Sequence, residues 1–278
     1  MNDQKMLKKL DRDELESKAR LIRLNILKML KPPKGGHLGG SMSCADIVAV
    51  LYYYKLKHDP EDPKWDKRDR LIMSKGHSGI TQYAALASLG YIPPEDMVSV
   101  KELTCNLQGH PDMNKTVGIE ANTGSLGQGL SIGLGISLGA RLDGDDYKVY
   151  VILGDGELQE GQVWEAAMAA AHYKVNNLVA IIDDNKQESS GFTKDRMDLG
   201  DLPAKWASFG WEVLSVNGHD VVEIAKALDT ADTIDGPVCI LADTIKSKGI
   251  DFAEDRTGFH KSFITSDQYE KYLEVFKS

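Results

Sequence analysis

The fold is decided by two stretches, Val149 to Glu157 with the sequence VYVILGDGE and Leu178 to Asn185 with the sequence LVAIIDDN. Two short apolar runs about thirty residues apart, with a helix-forming segment between them, are typical of neighbouring parallel strands buried on both faces. They predict a βαβ unit. The polar ends of both strands should meet at one edge of the sheet, where open α/β proteins bind their ligands.

The polar residues at that edge indicate a diphosphate bridged by Mg²⁺. Asp155 and Asn185 offer the hard oxygen ligands that Mg²⁺ prefers. Gly154 and Gly156 allow the backbone to come close to a phosphate. A helix starting near Glu160 would add unpaired N–H groups, which favour anions.

Composition narrows the class of protein. The 278 residues carry 42 acidic and 33 basic side chains, a net charge of −9, which argues against nucleic acid as a partner. The longest purely apolar run, Ile47 to Tyr54, is too short to cross a bilayer, and the N-terminal sequence MNDQK is largely polar, so no membrane partner is expected. The three cysteines lie far apart without a C-x-x-C pair, which indicates a reducing compartment. We predict one domain, residues 1–278, in a cytoplasmic enzyme.

The rest of the chain alternates predicted strands and helices. Such alternation predicts an α/β fold, a parallel sheet flanked by helices. Further strands are expected at 70–74, 211–216 and 237–244, helices at 11–31, 79–89 and 93–103, and a glycine-rich loop at 35–41. The segment after Gly127 is rich in glycine, which indicates either a closely packed helix or a loop.

Four histidines, His37, His77, His110 and His219, directly follow a glycine. Glycine tolerates turn conformations and close backbone approach, so at least two of these turns should lie at one edge of the sheet. No short metal-ligand spacing such as H-E-x-x-H is present, and a histidine zinc site is therefore not predicted.

Three glutamates surround the helix that links the two central strands: Glu157, Glu160 and Glu165. Acidic residues in a first helical turn are favoured by the helix dipole. That effect alone is a sufficient explanation for a residue such as Glu160.

Taken together, these motifs resemble a transketolase. The matching pieces are GGHLG around His37, SKGH at 74–77, GHP at 109–111, TGSLGQG at 123–129, GDG at 154–156, EG at 160–161, DN at 184–185 and FH at 259–260. Their order and spacing match the family's diphosphate-binding domain across almost the whole chain. The resemblance implies a thiamine diphosphate-binding fold, with a C-terminal tail of about 245–278 contributing to the active site. It also implies transfer of a two-carbon ketol unit from a ketose phosphate to an aldose phosphate.

The resemblance assigns metal and cofactor ligands. Asp155, Asn185 and the backbone carbonyl of Gln187 would bind Mg²⁺, for which Ca²⁺ or Mn²⁺ is expected to be able to substitute. The remaining cofactor contacts implied are made by Lys75, His77, Lys246, Gly154 and Gly156 at the diphosphate, and by Gly124, Ser125 and Leu126 at the rings.

The resemblance also assigns catalytic residues. His37, His110 and His260 would line the path of the donor sugar, bind its hydroxyls and assist proton transfers, work that suits a histidine. Glu160 would lie at the contact between cofactor sites of a dimeric assembly.

In the family, the glutamate that activates the cofactor lies on a pyrimidine-binding domain, which this sequence does not include. We therefore expect the N-terminal subunit of a split transketolase, inactive without a separate C-terminal subunit, with which it should form an α₂β₂ heterotetramer. Two alternatives remain: the α subunit of a 2-oxo-acid dehydrogenase, and a non-catalytic thiamine diphosphate-binding protein. A Rossmann-type dehydrogenase is disfavoured because no G-x-G-x-x-G opens a helix after a strand. The identity of the two sugars is left open.

Overall fold

The chain folds around a parallel sheet. The structure, a computed structural model, describes residues 10–277, so the N-terminal sequence MNDQK lies outside it. Within the described part, the sheet has five strands: β1 Arg70–Met73, β2 Val149–Gly154, β3 Leu178–Asp184, β4 Glu212–Asn217 and β5 Val238–Asp243. Their order is β1-β2-β3-β5-β4, with every neighbouring pair parallel. The predicted parallel α/β fold is confirmed.

Helices cover both faces of the sheet. The α-helices in residues 10–277 are α1 Arg12–Met29, α2 Leu38–Ser43, α3 Ala45–Val50, α4 Gly79–Ser88, α5 Gln128–Asp143, α6 Gly161–His172, α7 Thr193–Arg196, α8 Leu202–Ser208, α9 Val221–Ala231 and α10 Ser266–Lys277. Helix α1 packs against α3, α4 and α10, whereas α5 packs against α6 and β2. No helix in this described range is both long and apolar enough to cross a membrane.

The central strands are buried on both sides because successive side chains alternate between two cores. In β2, Tyr150 and Ile152 join the core that contains α1, α3 and α4. Val151 and Leu153 join the other core, which contains α5 and α6. A strand buried on both faces needs a continuous apolar run, as the sequence of β2 shows.

The glycine-rich segment after Gly127 is a helix, α5, which settles the alternative left open by the sequence. Its glycines serve close packing against the sheet. A Cβ on Gly133 would come within 2.6 Å of the Val151 side chain. The helix therefore lies closer to β2 than a larger residue at 133 would allow.

Two local predictions were wrong. The segment 93–103 is only a short 3₁₀ helix, Pro94–Ser99, because Lys101 and Thr104 take left-handed backbone angles of +66° and +72° that a helix cannot continue through. The predicted loop at 35–41 already becomes helical at Leu38. There the glycines permit contact with the tail, since a Cβ on Gly39 would lie 2.8 Å from the Phe259 carbonyl oxygen.

Candidate cofactor site

The carboxyl ends of β2 and β3 lie level with each other at one edge of the sheet. Gly154 pairs with Asp183 in the register of the two strands. Asp155 follows the first strand and Asn185 follows the second, and both side chains are buried. The expected juxtaposition of a carboxylate and an amide at the sheet edge is thus set by strand register.

The three residues assigned to the metal are all buried. Each has an oxygen atom that either lacks a hydrogen-bond partner or accepts a single hydrogen bond. Asp155 accepts a hydrogen bond from its neighbour, the Gly156 N–H, at 2.8 Å through Oδ1, whereas its buried Oδ2 has no partner. Asn185 Oδ1 accepts from the Gln187 N–H at 3.1 Å, and Asn185 Nδ2 donates to Asp183 at 3.1 Å. The Gln187 carbonyl accepts a hydrogen bond from the Lys246 ammonium at 3.3 Å.

These oxygens suit a hard divalent cation. Burial, reinforced by the negative charge of Asp183, raises the pKa of Asp155 to about 7, so ionising this carboxylate is unfavourable without a compensating positive charge. A buried, unpartnered carboxylate oxygen is costly unless a ligand contacts it. No cluster of three or more His, Cys, Asp or Glu side chains suited to a metal was found in residues 10–277. The set here is of another kind, with one carboxylate, one amide and one carbonyl.

Lys246 brings a positive charge to the same place from the tail. Its ammonium donates to the carbonyls of Gln187 and Glu188, the latter at 2.7 Å, and the side chain is almost fully buried. Burial lowers the pKa of Lys246 to about 8. A buried ammonium bonded only to carbonyls has unused capacity to neutralise an anion.

Four histidines meet beside this site. The ring of His37 lies 5.2 Å from that of His77, 6.3 Å from that of His110 and 5.3 Å from that of His260, centre to centre. His77 and His260 are 4.8 Å apart. The chain thus gathers three glycine-flanked histidines and one tail histidine, whereas His219, the fourth glycine-flanked histidine, lies elsewhere.

The histidine cluster is held in its neutral form. Burial lowers the pKa of His37 and of His260 to about 4, and that of His77 to about 2. Nearby ammonium groups act in the same direction, Lys101 on His37 and Lys75 on His77. Neutral imidazoles can both donate and accept hydrogen bonds, as binding of sugar hydroxyls requires.

Lys75 is more deeply placed than its sequence assignment implied. Its ammonium contacts the Asp183 carboxylate at 2.5 Å and the Gly40 carbonyl at 2.7 Å, and both charged side chains are buried. Although burial opposes its charge, Asp183 raises the pKa of Lys75. Two of its three donors are therefore engaged within the protein, and a direct contact with the diphosphate would have to use the third.

The turn assigned to the cofactor rings lies next to the histidines. Gly124 has a backbone φ of +140°, and a Cβ there would lie 3.2 Å from the His110 ring. A Cβ on Gly76 would come within 2.6 Å of the Gly124 nitrogen. Ser125 is exposed and Leu126 half-buried, so both present surface beside the site.

Comparisons with known proteins show the family to which the chain belongs. A family model described as transketolase, thiamine diphosphate binding domain, matches residues 15–275. The chain belongs to the transketolase family. It is 41% identical to a 6-deoxy-6-sulfo-D-fructose transketolase subunit of Clostridium sp. (strain MSTE9), over 92% of this chain and 94% of that protein. It is also 41% identical to an apulose-4-phosphate transketolase subunit of Actinobacillus succinogenes, over 95% of this chain and 96% of that protein.

A solved transketolase shares the fold. The crystal structure of transketolase from Campylobacter jejuni superimposes with a TM-score of 0.91 at 33% identity and covers 96% of this chain. The chain spans only 43% of that protein's length. Because the matching family domain binds thiamine diphosphate, this cofactor is the one that the comparison supports.

Within this transketolase domain, Glu157 is a residue whose role sequence reasoning missed. Its buried carboxylate accepts hydrogen bonds from the Gly127 N–H at 2.9 Å, the Gly154 N–H at 3.1 Å and the Ser74 hydroxyl. It thereby joins the ends of β1 and β2 to the turn before α5. Its sequence signal, an acidic residue directly after Gly-Asp-Gly, is equally well explained by the helix dipole.

Glu160 differs from Glu157 in being exposed at the edge of the transketolase site. Its Cβ would lie 2.7 Å from a Cβ on Gly127, so it borders the same turn. Its assignment to a contact between cofactor sites stays a prediction.

Asp183 was also missed, although it follows a buried strand. It is fully buried and binds Lys75, Ser43, Thr244 and Asn185 through its two oxygens. Side chains alternate between the two faces along a strand, and in the pair Asp183-Asp184 it is the first that points into the protein. The sequence alone does not show which of the two is buried.

Proposed function

We propose that this chain is the N-terminal subunit of a thiamine diphosphate- and Mg²⁺-dependent transketolase. It would move a two-carbon ketol unit from a ketose phosphate to an aldose phosphate together with a separate subunit that carries the pyrimidine-binding domain. The observation that supports this most strongly is the buried Asp155, with an unpartnered carboxylate oxygen, at the same sheet edge as Asn185.

The metal would be held by Asp155, Asn185 and the Gln187 carbonyl. Diphosphate oxygens and water would complete the octahedral shell that Mg²⁺ prefers. In this arrangement Lys246 would leave the Gln187 carbonyl and turn its ammonium toward the diphosphate. Bound thiamine diphosphate supplies the electron-accepting chemistry needed to break and form carbon–carbon bonds.

Binding of the diphosphate would also use His77, Gly154 and Gly156. Gly156 needs a small residue, since a Cβ there would lie 3.1 Å from the Glu188 side chain. Lys75 would act mainly through Asp183, which accepts a hydrogen bond from the Asn185 amide and so orients it. Hydrogen bonds from residues that do not themselves bind the metal hold a metal ligand in its orientation.

The histidine cluster would handle the sugar. Neutral His37, His110 and His260 would hydrogen-bond the hydroxyls of the donor and carry protons between those hydroxyls during the reaction. The ring centres of His110 and His260 lie 6.3 and 5.3 Å from that of His37, so several hydroxyls could be held at once.

The partner is proposed from the names of the relatives. Two proteins that this chain covers over more than 90% of their length are named as subunits of transketolases, one acting on apulose 4-phosphate and one on 6-deoxy-6-sulfo-D-fructose. By analogy, we propose a separate C-terminal subunit in an α₂β₂ assembly. The exposed Glu160 would lie at the contact between cofactor sites of that assembly.

Reconstitution tests the proposal. The chain is purified alone and together with a co-expressed pyrimidine-domain subunit, and each preparation receives thiamine diphosphate, Mg²⁺ and a panel of ketose and aldose phosphates. Ketol transfer is expected only with both subunits. Substantial transfer by the chain alone would contradict the split-subunit proposal, and decarboxylation of pyruvate without ketol transfer would favour a 2-oxo-acid dehydrogenase.

A matched pair of variants tests the metal assignment. Asp155→Asn should abolish Mg²⁺-dependent binding of thiamine diphosphate to the reconstituted enzyme, because the anionic ligand is lost. Asp143→Asn changes an exposed carboxylate at the end of α5 and should bind normally. Equal binding by both variants would rule out Asp155 as a metal ligand.

A further inference from the structure

A buried polar network lies beside the cofactor site and includes the one glycine-flanked histidine that the site does not use. Arg23 donates two hydrogen bonds to Asp46, at 2.9 and 2.6 Å. Asp46 in turn contacts Nδ1 of His219 at 2.7 Å. Although burial opposes its charge, Arg23 helps lower the pKa of Asp46 to about 2, so this carboxylate is ionised and accepts hydrogen bonds from both neighbours.

The hydrogen bonds of the His219 ring identify its tautomer. The backbone N–H of Ile245 lies 2.8 Å from Nε2, and an N–H can only donate. Nε2 therefore accepts and carries no proton, which leaves the proton on Nδ1, where it is donated to Asp46. The ring is a bridge between a buried ion pair and the backbone N–H of residue 245.

Ile245 begins the segment that carries Lys246 into the cofactor site. Lys246 donates to the carbonyls of Gln187 and Glu188, and the Ser247 N–H donates to the Gly39 carbonyl at 3.1 Å. Ser247 has a left-handed φ of +61°. Such a conformation persists only where surrounding contacts impose it.

We propose that His219 is a positioning residue for the cofactor site: by accepting the hydrogen bond of the Ile245 N–H, it holds the segment 245–247 so that Lys246 reaches the metal and diphosphate region. This proposal rests on the proposed thiamine diphosphate function. A histidine that merely filled space would affect stability, whereas a positioning histidine must also affect the segment and the cofactor.

Three substitutions separate the two ends of the ring. In His219→Asn, the short amide can replace Nδ1 toward Asp46 but does not reach Ile245. In His219→Gln, the longer side chain can place its amide oxygen near the position of Nε2. His219→Ala removes both contacts.

A matched control is His58→Gln. His58 is likewise half-buried with both ring nitrogens bonded, to the Tyr91 hydroxyl at 2.9 Å and to the Tyr52 carbonyl at 2.8 Å. Neither of these two partners belongs to the cofactor site. This variant measures how much stability is lost when a hydrogen-bonded histidine away from the cofactor site is replaced.

The first measurement is amide hydrogen exchange of the peptide covering 244–248 in the full chain without cofactor. Exchange should be faster in His219→Asn and His219→Ala than in the wild type, close to wild type in His219→Gln, and unchanged in His58→Gln. Unchanged exchange in His219→Asn and His219→Ala would overturn the proposal.

The second measurement is made on the reconstituted enzyme. It gives the Kd for thiamine diphosphate with Mg²⁺, the KM for this cofactor and the kcat. Loss of one hydrogen bond of about 1.4 kcal/mol corresponds to an affinity about 10-fold weaker. We expect that loss in His219→Asn, recovery in His219→Gln, and a raised cofactor KM with kcat retained at saturation. Wild-type affinity in a folded His219→Asn variant would also overturn the proposal. Failure of the reconstituted wild-type enzyme to bind thiamine diphosphate would instead contradict the proposed function, while the exchange experiment would still decide the role of His219.

Discussion

The ammonium of Lys75 and the carboxylate of Asp183 form an ion pair at 2.5 Å with both side chains buried. Removing one partner leaves an uncompensated buried charge, which typically costs about 3–5 kcal/mol. We expect Lys75→Met and Asp183→Asn each to lower the free energy of unfolding by that amount, as measured by urea denaturation.

The double variant Lys75→Met/Asp183→Asn should lose less than the sum of the single variants, because no unpaired charge remains. The exposed pair Lys271–Asp251 provides the control, and Lys271→Ala should change stability little. Additive losses in the double variant would contradict a direct coupling between Lys75 and Asp183.

Glu157→Gln should weaken the link between the turn before α5 and the sheet edge. Glutamine offers an N–H₂ group where the Gly127 or Gly154 N–H now donates, and an unsatisfied buried donor costs about 1–3 kcal/mol. Both the free energy of unfolding, measured by urea denaturation, and the affinity for thiamine diphosphate, measured by titration calorimetry, should fall. Glu165→Gln, at an exposed site on α6, should alter neither, and a similar loss in both variants would argue against the specific role of Glu157.

The histidine cluster predicts acid sensitivity of the cofactor-free chain. Because the folded pKa values of His37, His77 and His260 lie below the ordinary 6.5, the unfolded chain binds more protons as the pH falls below 6.5. The free energy of unfolding should therefore decrease as the pH falls from 6.5 to about 4. Urea denaturation at pH 7.5 and pH 5 measures this decrease.

Replacing a member of the cluster should reduce the acid sensitivity. His77→Asn removes one group whose pKa is lowered by folding and should make stability less dependent on pH. An identical pH dependence in wild type and His77→Asn would show that the cluster does not contribute.

Gly127 and Gly135 predict opposite outcomes for the same substitution. Gly127→Ala should destabilise the chain, because φ is +82° and the new Cβ would lie 2.7 Å from that of Glu160; the left-handed angle alone costs about 1–2 kcal/mol. Gly135→Ala meets open space in the interior of α5 and should stabilise the isolated chain by about 0.5–1 kcal/mol. Thermal unfolding of both variants measures the difference. A Gly127→Ala variant as stable as the wild type would refute the steric argument.

Much of the fold could be predicted because apolar runs and glycine-containing turns are local signals. The runs ending at Gly154 and Asp184 predicted the two central strands, and their register placed Asp155 and Asn185 together. The failed helix at 93–103 shows the limit of local signals, since the left-handed angle of Lys101 accompanies contacts with distant residues, including its ammonium on the Gly35 carbonyl.

The supporting residues of the site were harder to predict. Glu157, Asp183 and His219 act through partners that lie far away in sequence or on the opposite side of a turn. Nothing in the neighbouring residues distinguishes a buried carboxylate from one at an exposed helix start. Only the tertiary contacts separate Glu157 from Glu160.

The four rings of the histidine cluster come from four distant segments of the chain, and the tail supplies both His260 and Lys246. A binding site of this kind exists only once the last segment has docked, so it cannot form in a partly folded chain. Cofactor binding would then report complete folding, and by mass action a saturating cofactor would raise the stability of the whole domain at once. In a cell, the supply of cofactor would therefore influence how much of this subunit survives proteolysis.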